Sequence, residues 1–255
     1  MPTQLSKETI VINTLVFIEL IEEGLSQVEV MKQLGDAGYK KIEVRRELFT
    51  DFSDELPKIG ELSKEFDMEV YYSVPECLYI DKKVNYTGLE TYFKEAQVMN
   101  CSKIKVVIGD YEKVTQEDTL LLNNLCSQYK VNFTVENDQT FENGRVEKIH
   151  SFLIEYYALG GQTSTTFDIG NWLWQNQDPL ISAQLLAEHV TYIHLKDAKG
   201  GSTAQVTYLD EGDIPWRKIL DALPSMPLAI EYPCGTEVLK QLEIEISKIT
   251  KDRKS

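Results

Sequence analysis

Thr191 to Gly200 read TYIHLKDAKG, a run in which Ile193 and Leu195 alternate with Tyr192, His194 and Lys196. A period of two is that of a β-strand whose two faces meet different surroundings. One face here is apolar, and the other carries one of the three histidines of the chain followed by a lysine. Ionisable groups at the carboxyl end of such a strand make sense where strands end together around a site. The same period therefore has to be sought elsewhere in the chain.

Strand-like runs start near Ile10, Lys40, Met68, Lys103, Asn132, Gln162, Thr191 and Met226, roughly thirty residues apart. Helical patterns such as VEVMKQLGDAG and LISAQLLAEHV lie between them. Strand and helix in regular alternation imply parallel strands, because each helix returns the chain to the same edge. Eight units in 255 residues match the size of a closed (β/α)8 TIM barrel, expected as a single domain over 1–255. An open doubly wound sheet is the rival, but no G-x-G-x-x-G follows the first run.

Composition narrows the function. The chain is 42% hydrophobic, enough for one large core, and its 26 basic against 41 acidic side chains give a net charge of -15. Such acidity repels phosphate backbones and anionic bilayers, so neither nucleic acid nor membrane is an expected partner. The apolar run IVINTLVFIELI is interrupted by Asn13, Thr14 and Glu19 and is too short to span a bilayer. Four cysteines without a C-x-x-C pair suit a reducing, cytoplasmic setting. The basic tail ISKITKDRKS reads as a solvated helix end.

Strand parity locates the chemistry. In VNFTVEN, Phe133 and Val135 share one face while Thr134 and Glu136 share the other. TSTTFDIG sets Phe167 and Ile169 against Thr166 and Asp168, and PLAIEYP sets Leu228 and Ile230 against Ala229 and Glu231. With TYIHLKD, four successive strands send apolar residues to the helices and end inside on an ionisable group. A strand-end acid is commonly only a loop contact or a helix cap, but four in succession predict convergence at the C-terminal mouth. Glu136, Asp168, His194 and Glu231 are then a mixed carboxylate and imidazole set suited to one divalent ion, Mn²⁺, Mg²⁺, Co²⁺ or Zn²⁺.

VEND around Glu136, FDIGN around Asp168, HLKD around His194 and LAIE around Glu231 resemble the xylose-isomerase-like barrels, especially the inosose isomerase and ketose 3-epimerase branch. The late segment DEGDIPWRKILDAL adds to the resemblance. It implies that the four residues are metal ligands and that the substrate is a small sugar or polyol ketone. Where the family has D-x-G-H, this chain has Asn171, an amide that can bind a sugar hydroxyl but cannot exchange protons near neutrality. Glu142 stands at the spacing of a second glutamate near the sugar.

The chemistry so implied is isomerisation or epimerisation through an enediolate, with Glu136 and Glu231 as proton carriers. Dehydration of a polyol ketone on the same site and a non-catalytic sugar-binding barrel are the alternatives, and self-association is left open. An apurinic endonuclease on this barrel would need more histidines and a cationic surface. Lys196 is expected to pair with the inward acids rather than form a Schiff base. Arg45 is expected to bind a substrate anion or to pair with Glu43. Asp197 either orients His194 or caps a loop. Trp172, ahead of Trp174, is expected over the mouth, where an aromatic face packs on a sugar.

Overall fold

The computed structural model describes residues 6–251, so the last four residues of the basic tail lie outside the described part. Eight parallel strands form the centre: β1 Val11–Asn13, β2 Lys41–Arg45, β3 Glu69–Ile80, β4 Lys103–Gly109, β5 Asn132–Glu136, β6 Ser164–Asp168, β7 Val190–Leu195 and β8 Leu228–Ile230. Each begins within two residues of its expected start. The order runs β2-β1-β8-β7-β6-β5-β4-β3, and pairing of β2 with β3 closes the ring. It is a (β/α)8 TIM barrel.

The principal helix after each strand is α1 Gln27–Asp36, α2 Phe52–Glu65, α3 Tyr86–Val98, α4 Gln116–Tyr129, α5 Val146–Ala158, α6 Pro179–Leu186, α7 Trp216–Ala222 and α8 Val238–Lys251. Their starts follow from local chemistry. The Ser26 hydroxyl accepts from the Glu29 N–H while the Glu29 carboxylate accepts from the Ser26 N–H, and Thr115 and Asp118 repeat this box at α4. Asp51 and Asp178 cap α2 and α6, the latter with Pro179 in the first turn.

Two apolar regions result from strand parity. Outward side chains such as Ile42, Val44, Val135, Phe167, Leu195 and Ile230 pack against the helices in the large core. Inside the barrel, Val11, Tyr71, Tyr192 and Ala229 form a separate plug, with the two tyrosine rings stacked at 4.8 Å. The plug closes the barrel below the strand ends, so the polar groups above it meet water only from the mouth.

Register sets those groups at one height. Asp168 lies opposite His194 across β6 and β7, after an irregularity between Thr165 and Thr166, and His194 lies opposite Ala229 of β8. The loop after β7 carries a two-stranded ribbon of Asp197–Lys199 and Gln205–Thr207. Asp197 caps this excursion, accepting from the N–H groups of Asp210, Gly212 and Ile214. A Cβ on Gly212 would stand 2.1 Å from Asp197 Oδ1, so the glycine of DEGD is what lets the loop close on that carboxylate. Among the described residues no helix is long and apolar enough to cross a membrane, and all four cysteines are free.

Candidate metal centre at the barrel mouth

Glu136, Asp168, His194 and Glu231 each offer one ligand atom, and these atoms all lie within 4.8 Å of one another. All four residues are buried. His194 Nδ1 is 2.6 Å from Glu136 Oε1 and 3.1 Å from Glu231 Oε2. The DIGN turn aims the aspartate. Asp168 Oδ1 accepts from the N–H groups of Gly170 and Asn171 at 2.8 and 2.9 Å, which leaves Oδ2 turned to the centre. Gly170 is required there, because a Cβ would meet Lys196 Cγ at 2.5 Å.

The fit to a cation is shown by atoms short of partners. Glu136 Oε1, Asp168 Oδ2 and His194 Nδ1 are buried, and none makes a hydrogen bond of proper geometry although charged neighbours stand at contact distance. Buried polar atoms are normally paired, so converging unpaired donor atoms of carboxylate and imidazole fit a divalent ion.

A second ring surrounds these four. Lys196 Nζ bridges Asp168 Oδ2 at 2.6 Å and Glu231 Oε2 at 2.9 Å, as its parity implied. Lys105 of β4 pairs with Glu136 Oε2 at 2.5 Å, and Arg45 Nη1 with Glu231 Oε1 at 2.6 Å. Glu43 Oε2 lies 2.8 Å from His194 Nε2 and accepts from Asn13 Nδ2 and the Tyr192 hydroxyl.

Electrostatics follow from this packing. Burial alone raises the carboxyl pKa of Glu231, but His194, Lys196 and Arg45 outweigh it and hold the group well below the usual carboxylate range. Burial of Glu136 is likewise overcome by Lys105 and His194, and its pKa is lowered. For Asp168 burial prevails, reinforced by Glu231 and Glu136 against Lys196, and the carboxyl is pushed up to about 7. The His194 imidazole is disfavoured as a cation by burial, yet Glu231, Glu43 and Glu136 hold it well above its ordinary value.

Above lies a cavity of about 360 Å³ whose lining includes Arg45, Lys105, Glu136, Asn171, Lys196 and Glu231. Asn171 is at the wall, its Nδ2 donating to the Asn137 carbonyl and its Oδ1 accepting from Gln139.

Other expected positions are corrected. Trp172 is not over the mouth: it is fully buried in the outer core, 5.3 Å from the Phe167 ring, because the turn after β6 swings it behind the strand. Glu142 faces solvent and pairs with Lys148 instead of lining the cavity, since its loop turns it outward. Arg45 does form ion pairs, but with Glu231 and Glu47 rather than Glu43, whose carboxylate is engaged by Asn13, Tyr192 and His194.

No family model and no curated protein sequence matches the chain. Solved structures do. An IOLI protein with a bound zinc atom superposes with a TM-score of 0.75 at 12% identity, over 96% of this chain and 98% of that one. A D-tagatose 3-epimerase-like protein gives 0.70 at 17%, over 97% and 100%. A D-allulose 3-epimerase from Methylomonas sp. in complex with D-allulose gives 0.64 at 14%, over 93% and 89%.

These likenesses are likenesses of fold, the (β/α)8 barrel. In this barrel Lys105, Glu43 and Asn13 belong to the surroundings of the centre, although motif spacing did not single them out. Lys105 had a signal: it shares the inward face of the otherwise apolar strand KIKVVIG with Lys103 and is the lysine nearer the carboxyl end. Glu43 had the right parity, and only its partner was misassigned.

Proposed function

We propose that this chain is a divalent-metal-dependent isomerase or epimerase of a small sugar or polyol ketone. The observation that carries the reading is the convergence of Glu136, Asp168, His194 and Glu231 within 4.8 Å at the base of a polar cavity. An ion held by these four residues would act as a Lewis acid, withdrawing charge from adjacent oxygens of an α-hydroxy carbonyl.

The residues around it handle the proton. Glu136 at the end of β5 and Glu231 just beyond β8 come from separate walls of the barrel, and their neighbouring cations keep both ionised near neutrality. Either can take a carbon-bound proton as a general base. Two bases acting on opposite faces of a planar intermediate invert a centre, whereas one base returning the proton on its own face gives 1,2-isomerisation. Lys196 and Arg45 orient the Glu231 carboxylate, and Asn171 offers its amide to a substrate hydroxyl. The plug of Tyr71 and Tyr192 excludes water from below. The D-allulose 3-epimerase and the D-tagatose 3-epimerase-like protein that share the fold support the same class of chemistry.

The test is NMR of a panel of ketoses and inososes with the metal-loaded protein in D₂O. Deuterium entering one carbon position of a substrate as two isomers interconvert is the expected result. No exchange and no conversion across the panel would leave only a sugar-binding barrel.

A further inference from the structure

Two of the three histidines of the chain take no part in the mouth, and they meet each other. His150 lies half-buried on the second turn of α5, and His189 ends the single turn Ala187–His189 that leads into β7. Their ring centres stand 5.9 Å apart. His189 precedes His194 by five residues along the chain, roughly 16 Å at the usual rise of a strand, so the pair is separate from the mouth centre.

His189 is 7% exposed, and its Nε2 is buried with no hydrogen-bond partner. A buried polar nitrogen is normally paired, and the stacking of this ring on Tyr157 at 5.3 Å does not pair it. Glu188 Oε1 stands 3.8 Å from that nitrogen, beyond hydrogen-bond reach, on a side chain that is 78% exposed. Burial pushes the His189 pKa below its ordinary value against the pull of Glu188, and the neighbouring His150 adds to the effect of burial. The imidazole is therefore neutral near pH 7, which is the ligating form.

These spacings suit ligands of one ion. With Zn–N bonds of about 2.1 Å and a ring radius of about 1.2 Å, two imidazole centres on a single ion stand roughly 5–6.5 Å apart. Ligand atoms at a tetrahedral angle are about 3.4 Å apart, so Glu188 Oε1 has to move by less than about half an ångström.

We infer that His150, His189 and Glu188 form a second metal site, on the helix side of the barrel, for a nitrogen-preferring divalent ion such as Zn²⁺. Two imidazoles and a carboxylate suit Zn²⁺ better than Mn²⁺ or Mg²⁺, which favour oxygen. The three side chains are set less closely than the mouth ligands, so this site is the weaker of the two and adds an ion only when Zn²⁺ is supplied. An ion here ties α5 to the start of β7, the strand that carries His194, and stabilises the folded chain.

Three histidines give three sets of imidazole signals in a proton–nitrogen NMR spectrum, and the test reads them one by one. Zn²⁺ titrated into the labelled protein should produce two events: one that moves His194, and a weaker one that moves a ring nitrogen of His150 and of His189 together. His150→Gln, His189→Gln and Glu188→Gln should each weaken the second event at least about tenfold, and leave the His194 event as it is. The unfolding temperature of wild type should rise further as the second ion binds, and the variants should lose that increment. His150 and Glu188 are not fully buried, so their variants keep the test sound even if His189→Gln fails to fold. Zn²⁺ that leaves His150 or His189 unmoved would overturn the inference, and so would a second event undiminished in the variants, which marks an adventitious ion elsewhere. Movement of His150 and His189 without movement of His194 upholds this site and removes the mouth centre, so the two readings fail separately.

Discussion

His194 Nε2 lies 2.8 Å from Glu43 Oε2, while the other ring nitrogen faces Glu136 and Glu231. The imidazole therefore presents Nδ1 to the candidate centre and is held from behind by a fully buried carboxylate. A carboxylate behind a ligand histidine fixes the ring and raises its basicity. Glu43→Gln should consequently weaken divalent-ion affinity about 10- to 100-fold with the fold retained. Competition titration against a fluorescent chelator measures this, and an unchanged affinity would show that Glu43 serves only Asn13 and Tyr192.

Metal content tests the centre itself. The wild type should bind about one divalent ion per chain, and Asp168→Ala or His194→Ala should abolish binding. Elemental analysis giving the same content in all three proteins would move the site away from these residues.

Affinity for the ion should depend on pH in a stated direction. His194 is held protonated well above its ordinary value, because Glu231, Glu43 and Glu136 overcome the effect of burial. An imidazole must lose its proton to ligate, so proton and metal compete. Affinity should rise from about pH 6 to about pH 9 and be weakest at the acid end. A flat profile across that range would mean that His194 is not a ligand.

Glu231→Gln keeps the shape of the side chain and removes the base. Interconversion of substrate isomers should fall by about 10²- to 10⁴-fold, the usual loss on removing general acid-base catalysis. Deuterium exchange that survives this loss would identify Glu136 as a base working on its own face. Should the variant retain metal and turn over at the wild-type rate, Glu231 has no part in proton transfer.

Trp172 belongs to packing. The side chain is fully buried against Phe167, so Trp172→Ala should cost about 3–5 kcal/mol of stability. Urea unfolding reads the effect. A variant as stable as wild type that has lost sugar affinity would return Trp172 to the mouth.

The strand positions and the inward parity of Glu136, Asp168, His194 and Glu231 were legible in the sequence because both depend on a local period of two. Eight units of even length leave a closed parallel barrel as the compact solution, and that closure brings strand ends to one mouth. Lys196 could be paired with the inward acids for the same reason: it shares a strand and a face with His194. Partners across the barrel are another matter. Arg45 meets Glu231 and Lys105 meets Glu136 only because register and closure set the heights of different strands. Trp172 was misjudged because, past the last strand residue, its direction is decided by the turn in which Asp168 Oδ1 takes two N–H groups. Sequence period determined which side chains face inward; tertiary register alone decided which of them touch, since distances between strands are not encoded in the spacing along any one of them.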